Sequence, residues 1–247
     1  MSKFLDKLGH SLNKRFKRFL QRHDKALVSH SYQEEFKRLL EFNGLSKSQY
    51  HQDLFVLAEL GFKRDGFFVE FGATNGIELS NSYLLEKSFG WRGILAEPAR
   101  VWHGDLVKNR SCHIETNCVW RATGEKLTFN QVDASNISTL AMYSDVADGH
   151  EKARRKSTLY EVETISLNDL LEKYQAPQVI DYLSIDTEGS EFEILKAFDF
   201  NKHQFKVITC EHNHMPVRQE IFELLASKGY SRKLQDVSMC DDWYIKA

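Results

Sequence analysis

Three stretches of this chain place carboxylates, glycines and histidines where short apolar runs end, and chemistry is expected there. The first, FFVEFGATNGIELSN over residues 67–81, runs apolar, meets Glu70, Gly72 and Gly76, and then turns polar and helix-like. Glycines at such a junction let backbone bend sharply or come close to a ligand. The second, YLSIDTEGSEFEIL over residues 182–195, ends an apolar run in Asp186 and Glu188. Residues two apart on an extended chain point the same way, so these carboxylates are expected to share a rim, where they can bind a cation or take a proton. A plainer role for Glu188, capping the helix that follows, competes with that reading. The third, VITCEHNHM over residues 207–215, closes on Glu211, His212, Asn213 and His214. Asp186, Glu211 and a histidine make an oxygen and nitrogen ligand set for a divalent ion such as Mg or Mn. Either imidazole is also a candidate general base.

One helical crossover beyond the glycine loop, ILAEP puts Glu97 at a strand tip. A carboxylate there can accept both hydroxyls of a ribose, as an adenosine-containing cofactor requires. The glycines, Gly72 and Gly76, are not the G-x-G-x-x-G set of a dinucleotide site. Glu70 at the mouth of the loop would repel a pyrophosphate, but it suits the α-amino group of S-adenosylmethionine. The loop therefore favours a methyl donor over a nicotinamide. A nicotinamide-dependent oxidoreductase and a catalytically silent adapter in a glycan-assembly complex are the competing readings.

Positioning these groups at one rim requires a parallel sheet. From Ser48 onward, apolar runs alternate with helical patterns, which predicts an α/β fold with helices on both faces of the sheet. Strands are expected near residues 67–71, 93–96, 113–117, 179–185, 205–210, 230–235 and 243–246. Helices are expected near 32–42, 79–89, 99–108, 166–174, 190–197 and 217–228, with Ser166 and Asp169 as a start signal for the fourth. The charged run MYSDVADGHEKARRKSTLYE reads as a lid or disordered insertion, about 133–160, and Asn136 and Ser138 just before it offer hydrogen bonds to an acceptor.

The 247 residues, 42% of them hydrophobic, suffice for one good core, here taken as residues 46–247 behind an extension over 1–45. A net charge of -2 gives no global reason to expect nucleic acid as partner. The four cysteines lack a C-x-x-C pair and read as reduced thiols. No apolar run approaches the roughly 20 residues that span a bilayer, and no signal peptide is evident, so a cytoplasmic protein is expected. The extension differs in kind. Phe4, Leu8, Leu12, Phe16 and Phe19 share a helical stripe, and residues 1–25 carry eight basic against two acidic side chains. Such a helix can lie on the inner face of an anionic membrane, dock on a protein partner, or pair with a second copy in a homo-oligomer.

SQYHQDLFVL, FFVEFGATNGIELSNSYLLEKSFGWRGILAEP, YLSIDTEGSEFEIL and the closing DDWYIK together resemble the FkbM-type S-adenosylmethionine-dependent methyltransferases, from about Ser48 to the C-terminus. The resemblance implies a Rossmann-like class I fold, a seven-stranded sheet whose last strand is antiparallel, and methylation of a hydroxyl on a sugar, glycan or secondary metabolite. By the resemblance, Glu70, Gly72, Ala73, Asn75 and Gly76 hold the methionine end of the donor, Glu97 its ribose, and Asn117 lies toward the adenine. Asp186, Glu211 and His212 fall where related metal-dependent O-methyltransferases keep cation ligands. Proton removal is then expected of Asp186 with its ion, or directly of Glu188 or His212.

Overall fold

The computed structural model describes residues 30–133 and 136–247. The basic stripe expected near the N-terminus lies outside the described residues. Among the described residues two helices precede the first strand, α1 (His30–Asn43) and α2 (Gln52–Glu59), the second of them not foreseen. Strands and helices then alternate: β1 (Phe67–Phe71), α3 (Tyr83–Phe89), β2 (Arg92–Ala96), α4 (Arg100–Asn109) and β3 (His113–Glu115). A β-rich stretch follows, with β4 (Cys118–Trp120), β5 (Lys126–Val132), β6 (Thr139–Leu140), a 3-10 turn (Ala141–Tyr143), α5 (Glu151–Arg154) and β7 (Ser157–Ser166). Alternation resumes through α6 (Leu167–Lys173), β8 (Val179–Ile185), α7 (Glu191–Ala197), β9 (Gln204–Glu211) and α8 (Val217–Ser227), ending in β10 (Tyr230–Lys233) and β11 (Asp241–Lys246). The start signal of α6 works as its sequence implies: the Ser166 hydroxyl accepts the Asp169 N–H at 3.1 Å.

Seven strands form one sheet in the order β10-β11-β9-β8-β1-β2-β3. The pairs from β9 to β3 are parallel, and β11 runs antiparallel to both β9 and β10. This is the Rossmann-like class I methyltransferase arrangement. All five residues of β1 are buried because helices cover both faces. Its pleat sends Phe67, Val69 and Phe71 into one core with Leu183, Ile194 and Ile208. Phe68 enters the other core, with Leu85, Leu95 and Trp243. Burying Phe68 completely contributes about 1.5–3 kcal/mol.

A second sheet, in the order β4-β7-β5-β6, was not foreseen. The run expected as a lid or disordered insertion instead supplies the 3-10 turn, α5 and the start of β7. Ala99, Cys118, Trp120, Phe129, Leu140 and Val162 form its small core. Strand order reverses at β1, with β8 on one side and β2 on the other, and a parallel sheet opens a crevice at such a point. The second sheet walls that crevice.

Candidate active site

The crevice is an open cleft lined by residues of both sheets. The tips of β1 and β8 meet at its floor. Gly72 has φ +75°, and a Cβ added there would lie 2.1 Å from the Asp186 carbonyl oxygen, so only glycine fits. Glu97 lines the cleft but is only 4% exposed. Its two oxygens accept the N–H groups of Thr74 and Ala99, each at 2.8 Å, which ties the glycine loop to the β2 tip. Each oxygen keeps a second acceptor position, enough for a pair of ribose hydroxyls.

The other residues expected at the donor shape the loop from behind. The Asn75 side-chain oxygen accepts the Ile77 and Glu78 N–H groups, and the Asn75 backbone carbonyl accepts from Asn109 Nδ2 at 2.8 Å. Gly76 has φ +79° and lies against Leu106 and Arg110, while Ala73 is buried in the core. Glu70 is a correction. As a strand residue it shares the pleat face of Phe68, so it points beneath α3 and not into the cleft. It accepts the Asn81 N–H at 2.7 Å and the hydroxyls of Ser80 and Ser82, with Arg110 3.9 Å away. Glu70 thus fastens the segment after the glycine loop. Asn117 is a second correction: its N–H goes to Glu115, and the neighbouring Cys118 and Val119 line the cleft instead. Thr74, Trp102 and Phe129, which no sequence pattern marked, line it too. Asn136 and Ser138 face it as expected.

At the far end, Asp186, Glu188 and Glu211 bring carboxylate oxygens within 4.8 Å of one another. Glu188 gets there from a left-handed turn, φ +59°, and not from an extended strand. It does not cap α7, because Glu191 accepts the Thr187 and Gly189 N–H groups of that turn. Burial, then the nearby Glu188 and Asp241, push the Asp186 carboxyl well above the carboxylate range. Burial, then Asp186 and Glu188, do the same to Glu211. Burial raises Glu188 to about 7 against the opposing pull of Arg154. Three hard oxygen ligands suit Mg or Mn.

His212 is the third correction. Its Nδ1 accepts the His214 N–H at 2.9 Å, so any ring proton sits on Nε2, 3.8 Å from Asp242. Burial lowers its pKa to about 4, which keeps the ring neutral. It turns away from the three carboxyls and belongs neither to their ligand set nor to proton removal.

Several buried carboxyls share one consequence for stability. Burial raises Asp53 to about 6, and Glu97 and Asp241 to about 7. A carboxyl whose folded pKa is raised stabilises the native state while it stays protonated, and that stability is lost as pH rises through the folded pKa. His212, its folded pKa lowered, opposes the trend weakly near pH 6.5, where the unfolded imidazole is still partly protonated, and the several raised carboxyls outweigh it. Melting of the ligand-free protein is therefore expected at lower temperature at pH 8.5 than at pH 6.5. Each tenfold gain in proton affinity on folding is worth about 1.4 kcal/mol, and each kcal/mol moves the melting temperature by roughly 2–4 °C. A flat or rising melting temperature would show that these groups ionise at little cost.

A family model described as the methyltransferase FkbM domain matches residues 70–232, well over half of the chain. The chain belongs to the FkbM methyltransferase family. The FkbM match begins at Glu70 and takes in the glycine loop, Glu97, the second sheet and the three carboxyls, and it ends before β11. Family and fold support methyl transfer from S-adenosylmethionine. Among solved structures, precorrin-6y C5,15-methyltransferase from Geobacter metallireducens GS-15 is 14% identical with a TM-score of 0.39, over 78% of this chain and 85% of that one. The METTL16 methyltransferase domain is 12% identical with a TM-score of 0.38, over 77% of this chain and 63% of that one. Likeness at that level adds nothing to the sheet order, which stands by itself. Among curated proteins none matches the chain.

Proposed function

We propose that this FkbM protein is an O-methyltransferase that moves a methyl group from S-adenosylmethionine to a hydroxyl of a sugar, glycan or secondary metabolite. One observation carries the choice of donor. The described residues lining the cleft include three carboxyl residues, Glu97, Asp186 and Glu188, and no lysine or arginine. A cationic ligand without phosphate favours the ionised form of these carboxyls, whereas the pyrophosphate of a nicotinamide dinucleotide would meet no cationic side chain among them.

When bound, the donor supplies an electrophilic methyl group on a sulfonium. Gly72 and Thr74 form the loop against its methionine end, Glu97 accepts from its ribose, and Trp102, Phe129 and Leu140 give an apolar wall for its base. An alcohol is a poor nucleophile until its proton is taken or its acidity raised. Asp186 faces the cleft with Glu211 behind it, and the pair can take that proton, or hold a divalent ion that acidifies the alcohol. Asn136 and Ser138 at the mouth offer the hydrogen bonds that a polyhydroxylated acceptor would use.

Calorimetric titration with S-adenosylmethionine, S-adenosylhomocysteine, NAD and NADP, each with and without Mg or Mn, tests the reading. Binding of the methyl compounds alone is the expected result. A folded sample silent to both methyl compounds would sink the donor assignment and favour a non-catalytic role.

A further inference from the structure

The three carboxyl residues of the cleft are held differently. Glu97 gives one oxygen to each of two backbone N–H groups. Asp186 has Glu211 beside it. Glu188 alone has an arginine: Arg154 NH2 lies 2.7 Å from its Oε2, and the same nitrogen lies 2.7 Å from Asp148. All three side chains are buried, and the two carboxyl groups share one guanidinium, which cannot neutralise both when both are ionised. Arg154 is itself fixed by a 3.2 Å hydrogen bond from Nε to the Ile137 carbonyl.

The rest of Glu188 is fastened too. Thr139 Oγ1 donates to its carbonyl at 2.8 Å, and Asn213 Nδ2 reaches Oε2 at 3.5 Å. Among the described hydrogen bonds none goes to Oε1. The left-handed backbone, φ +59°, is an uncommon conformation for a glutamate and persists only where its surroundings impose it. Three separate segments thus converge to hold one carboxylate in the wall of the cleft, with one oxygen uncommitted. A charge fixed in a poorly hydrated cleft acts strongly on a ligand charge nearby and hardly at all on a neutral atom.

We propose that Glu188, held by Arg154, is the specificity-determining group that reads the charge on the sulfur of the ligand, favouring the sulfonium donor over the thioether product. This rests on the methyl-donor reading above and assigns one residue within it. The α-amino, carboxylate and adenosine parts are common to donor and product, so residues touching only those parts cannot separate the two. A group that senses the sulfonium charge draws the donor in and loses its hold once the methyl group has left.

Three ligands of nearly one shape make the test: S-adenosylmethionine, S-adenosylhomocysteine, and sinefungin, which carries an amine in place of the methylated sulfur. Calorimetry on the unmodified chain and on Glu188→Gln should show the two cations weakened by about tenfold or more and the thioether changed by less than about threefold. Arg154→Met should move the affinities the same way, because the carboxylate is no longer held in place. Equal weakening of all three ligands, or none, would overturn the proposal and leave Glu188 as wall. If the variants do not fold, the unmodified chain still decides: a preference for the thioether over both cations by about tenfold or more overturns it. An unmodified chain that binds none of the three removes the donor reading itself, a different outcome from binding all three alike.

Discussion

Gly72→Ala is expected to lower the melting temperature by roughly 5–15 °C and to abolish measurable donor binding. Two costs add. At φ +75° an alanine pays the left-handed penalty, about 1–2 kcal/mol. Its Cβ would also sit 2.1 Å from the Asp186 carbonyl oxygen, a backbone atom that cannot swing away like a side-chain end. The tips of β1 and β8 must part, although the strands are in parallel register through Phe68–Tyr182 and Glu70–Ser184 just below. Overpacking of this kind costs roughly 1–3 kcal/mol more, and each kcal/mol lowers the melting temperature by roughly 2–4 °C in a chain of this size. Donor binding suffers as well, since Asp186 and the loop to Glu97 shift together. Gly104 is the control: it lies within α4 with nothing within 4 Å of an added Cβ. Gly104→Ala should stabilise by up to about 1 kcal/mol. Differential scanning calorimetry on both variants measures the contrast, and an unshifted Gly72→Ala would mean that the strand tips do not touch.

Much of the seven-stranded sheet could be read from local pattern, because each buried strand is a short apolar run ended by punctuation. β1 and β8 fall where the pattern puts them, and Ser166 opens α6 as a cap should. The second sheet was missed because β5 and β7 show one face to solvent and carry charges such as Lys126, Glu161 and Glu163, so their runs look like loop. The site divides along similar lines. Gly72, Glu97 and Asp186 could be read because strand tips of a parallel sheet point at one rim. Glu70 was misplaced although the pleat was visible: a residue inside the strand, next to Phe68 and Phe71, faces a layer of helices and not the rim. His212 was misplaced because a sharp turn at Asn213 and His214, both with positive φ, aims its ring back at β11. Nothing in HEKARRKS separates Arg154 from Arg155. Only the folded chain shows that one is buried against Glu188 and the other exposed.

Asp186→Asn should leave donor affinity within about threefold and reduce methyl transfer by on the order of 10²–10⁴, the range for loss of a positioned acid–base group. The substitution keeps the shape of a residue that lines the cleft and removes its ability to take a proton or bind an ion strongly. Glu211 lies behind it, and burial together with the neighbouring carboxyls raises both groups, so the two act as one proton-holding pair. Glu211→Gln is therefore expected to resemble Asp186→Asn, and the double variant to be no worse than either single one, because groups that act together are not additive. Full additivity would separate their roles. Turnover on an acceptor found by glycan screening, measured with and without a chelator, then distinguishes the two ways of activating the alcohol. If the chelator leaves the unmodified enzyme active while Asp186→Asn is inactive, the carboxyl pair removes the proton itself. If the chelator alone abolishes turnover and added Mg or Mn restores it, the pair serves as ligand to the ion that acidifies the hydroxyl. Near-normal turnover in Asp186→Asn would exclude both and move the search for the proton acceptor to Glu188.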